Sequence, residues 1–82
     1  MKNDNSAGLL ALRLAMQVAG VSQAEISRQI ETSRQWVNDV LLGQVTPSPN
    51  FIRQVPLILA TRLGEDPAKL RALCFPDFVE AV

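Results

Sequence analysis

The side chains best suited to specific chemistry in this sequence lie in one run, residues 33–42, SRQWVNDVLL. Asn38 lies four positions after Arg34 and three after Gln35, so on a helix the three share one side. Their end groups are hydrogen-bonding forks. An arginine can donate twice to O6 and N7 of guanine, a glutamine or asparagine can bond N6 and N7 of adenine, and an aspartate such as Asp39 can accept from N4 of cytosine. Catalytic chemistry has far less to draw on. The chain has no histidine and one cysteine, Cys74. It offers no glycine loop to cradle phosphate, no metal-ligand cluster and no paired carboxylates on a recognisable face. Glu65 and Asp66 stand at a helix start, where acids are ordinary. The expectation is a non-enzyme with no cofactor and no metal. A lone cysteine excludes a disulfide within the chain and a Cys/His zinc site. With apolar neighbours, Cys74 reads as a small buried hydrophobe.

At 82 residues, 1–82 form one domain with a thin core, the kind that often gains stability by pairing. The hydrophobic share of 48% with only 5% aromatic suits a helical bundle of Leu, Ile, Val and Ala and argues against disorder. The net charge is zero. This counts against binding nucleic acid through bulk charge, so any such binding must rest on local placement. The start, MKNDNS, is polar, and no signal peptide is evident. The first apolar stretch is cut by Arg13 and Gln17 and is too short to span a membrane. A cytoplasmic protein is expected, nucleoid-associated when on DNA, with no membrane partner and no small-molecule ligand.

The elements that must carry these side chains read as five helices, with no strand-like alternation, repeat or linker. Residues 1–6 are expected to be a flexible N-terminus. The first helix, 7–19, is built from strong helix formers, with Leu12, Ala15, Val18 and Ala19 as its inward face. Leu9, Leu10, Leu14 and Met16 cover its other sides, leaving Arg13 and Gln17 as the wet stripe. A helix apolar nearly all round wants a second surface, so this set reads as core or as an interface. Gly20 ends it. The second helix, 22–30, starts on Ser22, with Glu25 completing a capping box; Ile26 and Ile30 point inward. The third, 33–42, is capped by Thr32 or Ser33, buries Val37, Val40 and Leu41, and closes on Gly43. The fourth, 49–63, begins with the Ser48-Pro49 cap pair. It carries Phe51, Ile52, Val55, Leu59 and Leu63 on one face, and Pro56 is expected to kink or split it. The fifth, 67–74, turns Leu70 and Leu73 inward. The tail, 75–82, is too apolar to trail comfortably in water.

The second and third helices, joined by a tight turn, with Ile26, Ile30, Val37 and Val40 inward and small Ser27 between them, predict a helix-turn-helix. Its second helix would project an outer face able to enter a major groove. The run through AGVSQAEIS, then TSRQWVNDVLLGQVTPSP and LGEDPAKL, resembles the phage-repressor/Cro type, the XRE family, over roughly residues 12–70. The resemblance implies an all-α, compact five-helix bundle of the phage-repressor type. It further implies a transcriptional regulator, most simply a repressor, that binds double-stranded operator DNA as a homodimer through helix 33–42. It assigns base contacts to Ser33, Arg34, Gln35 and Asn38, and phosphate contacts to Ser22, Gln23, Arg28, Gln44 and Thr46. The turn position that is glycine in the family is Glu31 here. If left-handed, it costs about 1 kcal/mol against glycine. Met16 and Asp39 stand where basic residues are frequent, and the loop after Gly43 lacks the customary lysines and arginines.

Several of these residues have a plainer reading. Arg34 and Gln35 would be a solvated helix face without the surrounding pattern, which favours DNA contact. Asp39 fits a local ion pair, or rejection of wrong sites, better than base reading. Arg28 either meets a phosphate or pairs with Glu25 or Glu31. Trp36 either stacks on the sugar–phosphate chain or, the reading favoured, packs against helix two or a partner. Leu70, Leu73, Phe75, Phe78, Val79 and Val82 are the dimer-interface candidates; the tail members among them either cap helix five or form the seam, with the seam preferred. The alternative function is a protein-binding module on the same fold, an antirepressor or adaptor, favoured by zero net charge and the apolar first helix and tail.

Overall fold

A computed structural model describes residues 6–76, and these form five helices and no strand. They run in the order α1 (Ser6–Ala19), α2 (Gln23–Gln29), α3 (Arg34–Leu41), α4 (Pro49–Leu63) and α5 (Pro67–Cys74). α1 therefore starts at Ser6, inside the stretch expected to be flexible; residues 1–5 lie outside the described residues. No helix among the described residues is long and apolar enough to cross a membrane.

Local polar groups fix where the helices begin. The Oγ atoms of Ser22, Ser33 and Ser48 accept from the backbone N–H of Glu25, Trp36 and Phe51 at 3.1, 3.0 and 3.2 Å. The Asp66 carboxylate accepts from the Ala68 N–H at 3.0 Å. Each satisfies an N–H that has no partner inside its own helix. The capping box at Ser22 is corrected in one respect: the Glu25 carboxylate leaves its own helix start to pair with Arg62 of α4, and it also accepts from Gln29 Nε2 at 3.1 Å. α2 is thereby tied to α4.

The helix ends are equally local. After α3, Gly43 takes φ +78°. Its N–H then reaches the Val40 carbonyl, and that of Gln44 reaches Asp39 at 2.9 Å, the paired bonds of a Schellman stop. α2 ends in a similar way but without glycine. Glu31 sits at φ +59°, and the next N–H, of Thr32, bonds the Ser27 carbonyl at 2.9 Å. Because Glu31 is exposed, its side chain contributes no packing to offset the strained backbone. Glu31→Gly is expected to raise stability by about 0.5–1 kcal/mol and Tm by a few degrees, the gain trimmed by glycine's greater freedom when unfolded. Glu31→Ala, which keeps the Cβ, should give no such gain. Thermal unfolding of the two variants separates them.

One hydrophobic core joins the helices. α1 packs on α3, α4 and α5; α4 packs on α5; and α2 packs on α3. Leu12, Ile26, Val37, Val40, Phe51, Val55 and Leu59 are fully enclosed. Phe51 stands between two other rings, edge-on to Trp36 at 5.4 Å and to Phe75 at 6.0 Å between centroids. Trp36 thus packs against Phe51 of α4.

The expected inward face of α1 is corrected. Leu9, Leu12 and Met16 enter the core, Ala15 and Ala19 sit at its margin, and Val18 faces out. Leu10, Leu14 and Val18, at i, i+4 and i+8, form an exposed apolar stripe, each 59–71% accessible. α4 is neither split nor interrupted at Pro56. The ring is buried in the face that meets the rest of the protein, although the proline has no N–H to offer the Ile52 carbonyl. In α5, Leu70 is 6% exposed, whereas Leu73, expected inward, is 58% exposed; Cys74 and Phe75 occupy the core instead.

Cys74 is buried as expected, and desolvation raises its thiol pKa from 9.0 to about 11. A folded pKa above the unfolded one means the native state holds the proton longer, so the contribution to stability is full below pH 9 and lost as pH climbs toward 11. Unfolding midpoints measured from pH 8 to 11 should fall across that window, and Cys74→Ala should flatten the fall.

Candidate nucleic-acid interface

α3 is amphipathic in a way that decides which residues are offered outward. Val37, Val40 and Leu41 are buried, and this turns Arg34 and Gln35 fully toward solvent. Ser33, the cap of α3, is exposed beside them. Its Oγ accepts the Trp36 N–H, which leaves the hydroxyl proton to donate outward. Arg34 has no carboxylate partner among the described residues, so its guanidinium fork is unspent.

The other three polar side chains of α3, Gln35, Asn38 and Asp39, are already engaged. Gln35 Nε2 donates to Asp39 Oδ1 at 3.0 Å, one turn on. Asp39 therefore makes a hydrogen bond and not the local ion pair that was one of its two expected roles, and Gln35 keeps its amide oxygen and second Nε2 hydrogen in hand. Asn38 is half-buried and accepts at Oδ1 from Gln23 Nε2 at 3.3 Å. This bond joins the first residue of α2 to the middle of α3, so these two short helices are braced by side chains as well as by their apolar contact. Ser27 is buried and donates to the Ala24 carbonyl at 2.9 Å, which keeps its hydroxyl satisfied inside α2.

Gln23 and Asn38 also border a cleft of about 330 Å³ between the end of α1 and α3. Arg13, Gln17 and Leu42 complete its rim over Met16 and Leu41. The structure thus brings Gln23 and Asn38 together and adds Arg13, to which the sequence reading gave no role. Its signal was present: Arg13 and Gln17, four apart, are the polar stripe on an otherwise apolar helix. Met16, at a position where a cation was missed, is buried below the same rim.

Ser22 caps α2 and Arg28 lies in its last turn, and both are exposed. Arg28 pairs with neither Glu25 nor Glu31; the sole ion pair among the described residues is Glu25 with Arg62. Gln44 and Thr46 are exposed in the segment between α3 and α4. Of the dimer-interface candidates, Leu70 and Phe75 are used up in this chain's own core, and Leu73 alone among the described ones faces out. Phe78, Val79 and Val82 lie outside the described residues. Among the described residues, no three metal-ligating side chains gather. No family model matches the chain, and no curated protein and no solved structure matches it.

Proposed function

We propose that the chain is a sequence-specific DNA-binding transcriptional regulator, most simply a repressor, that reads double-stranded operator DNA as a homodimer through α3. In this reading α2 and α3 are a helix-turn-helix of the phage-repressor type. The observation that carries the proposal is the outward set on α3: Ser33, Arg34 and Gln35 exposed on a helix whose opposite face is anchored in the core. Arg34, unpaired and forked, reads guanine. Gln35 offers its amide oxygen and the second Nε2 hydrogen to adenine, with the first held by Asp39. Asn38 is committed to Gln23, and the pair acts as a brace that holds the reading helix at its angle. Arg13, Ser22, Gln23, Arg28, Gln44 and Thr46 supply the phosphate contacts that set register.

The test is a binding titration with DNA from upstream of the protein's own gene against random DNA, at about 50 and 200 mM salt. Preferential binding that weakens steeply with salt is expected, because bound phosphates release counterions. No preference at either salt would overturn the reading. A second reading, a protein-binding adaptor on the same fold, is favoured by the exposed Leu10–Leu14–Val18 stripe on α1. An apolar contact through that stripe would be insensitive to salt and lost on Leu14→Glu.

A further inference from the structure

Away from α3, helices α4 and α5 enclose a second cleft, of about 230 Å³. Its walls are Pro56, Leu57, Pro67 and Ala68, and two cations, Arg53 and Arg71, stand among them. Neither arginine has a carboxylate partner among the described residues, although acidic and basic side chains are equal in number along the sequence. An apolar trough with two unspent guanidinium groups fits a short segment that alternates carboxylates with apolar side chains.

The chain carries one segment of that composition. Residues 77–82 read DFVEAV, with Asp77 and Glu80 three apart and Phe78, Val79 and Val82 between and after them. They follow directly on the exposed Pro76 beyond α5, and six residues reach up to roughly 20 Å when extended. We infer that residues 77–82 of one copy seat in the α4–α5 cleft of a second copy, with Asp77 and Glu80 meeting Arg53 and Arg71 and the apolar side chains covering Leu57, Pro67 and Ala68. Reciprocal exchange gives two identical seats related by a twofold axis, the usual symmetry of a homodimer. The inference rests on the dimeric part of the reading above and not on recognition of DNA.

Oligomeric state measured by light scattering after size exclusion, without DNA, tests it. The full chain should have about twice the mass of the 9.0 kDa protomer. A chain ending at Pro76 should be monomeric, and so should Arg53→Glu/Arg71→Glu. Adding Asp77→Arg/Glu80→Arg to the latter should restore the dimer, and circular dichroism of each variant reports that the helices are intact. A monomeric full chain, including one whose tail folds onto its own cleft, overturns the inference. So does a dimer that survives truncation or the arginine changes, or a charge exchange that fails to rescue. An intact dimer with no preference among DNA sequences would instead sink the DNA reading and leave this one standing.

Discussion

Phe51→Ala is expected to lower the free energy of unfolding by about 3–5 kcal/mol, the range for deleting a fully buried aromatic ring. Phe51 is wholly enclosed and sits edge-on to both Trp36 and Phe75, so its loss leaves a cavity where α3, α4 and the end of α5 meet. Neighbouring rings cannot collapse into that space without giving up their own edge-to-face contacts, worth about 0.5–1.5 kcal/mol each beyond burial. A domain of this size has a total stability of only about 5–15 kcal/mol, so the variant should be largely unfolded in mild urea. Trp36 is the only tryptophan in the sequence and touches Phe51, which makes its fluorescence a direct reporter. Leu14→Ala, on the exposed side of α1, is the control and should shift stability by about 0.5 kcal/mol or less. Equal losses from both would mean that the core does not pass through Phe51.

The largest functional effect is expected at Arg34. If α3 reads DNA, Arg34→Ala should cost about 1–3 kcal/mol of operator affinity, roughly 5- to 150-fold, and relax the preference at a single base pair. The folded state should be nearly untouched, since Arg34 is exposed and makes no ion pair among the described residues. Arg34→Lys should recover little of the loss, because an ammonium cannot donate in two parallel bonds. Arg28→Ala, by contrast, should weaken every sequence alike and reduce the salt slope by about one phosphate. Competition titrations across single-base operator variants separate the two patterns. An Arg34→Ala protein with unchanged preference at every position would remove the residue from the reading set.

What the sequence made legible was mostly local. The caps Ser22, Ser33, Ser48 and Asp66 are residue types that bond an N–H two or three positions on, and each does so. α3 was legible because apolar and polar residues alternate on it at helical spacing, so its outward set followed once Val37, Val40 and Leu41 were assigned inward. α1 was not, since Leu and Ala on every side leave periodicity without a preferred direction, and Met16 rather than Val18 proved to be the core residue. Leu73 was misplaced because α5 ends within a turn of it, where Cys74 and Phe75 take the space that periodicity had given to Leu73. The bonds from Gln23 to Asn38 and from Arg62 to Glu25 depend on how helices cross, which no local pattern encodes.

The way each helix is closed also bears on how quickly the chain finds its fold. The start of every helix from α2 to α5 is satisfied by a side chain no more than three residues away, and α2 and α3 stop on bonds that span at most five. Short spans are closed at small entropic cost, and chains dominated by such contacts reach the native state in microseconds to milliseconds. A chain of this kind need not wait for distant parts to meet before its helices are bounded. Little time is then left for the inner faces of α4 and α5, buried once the chain has folded, to associate with other unfinished chains during synthesis.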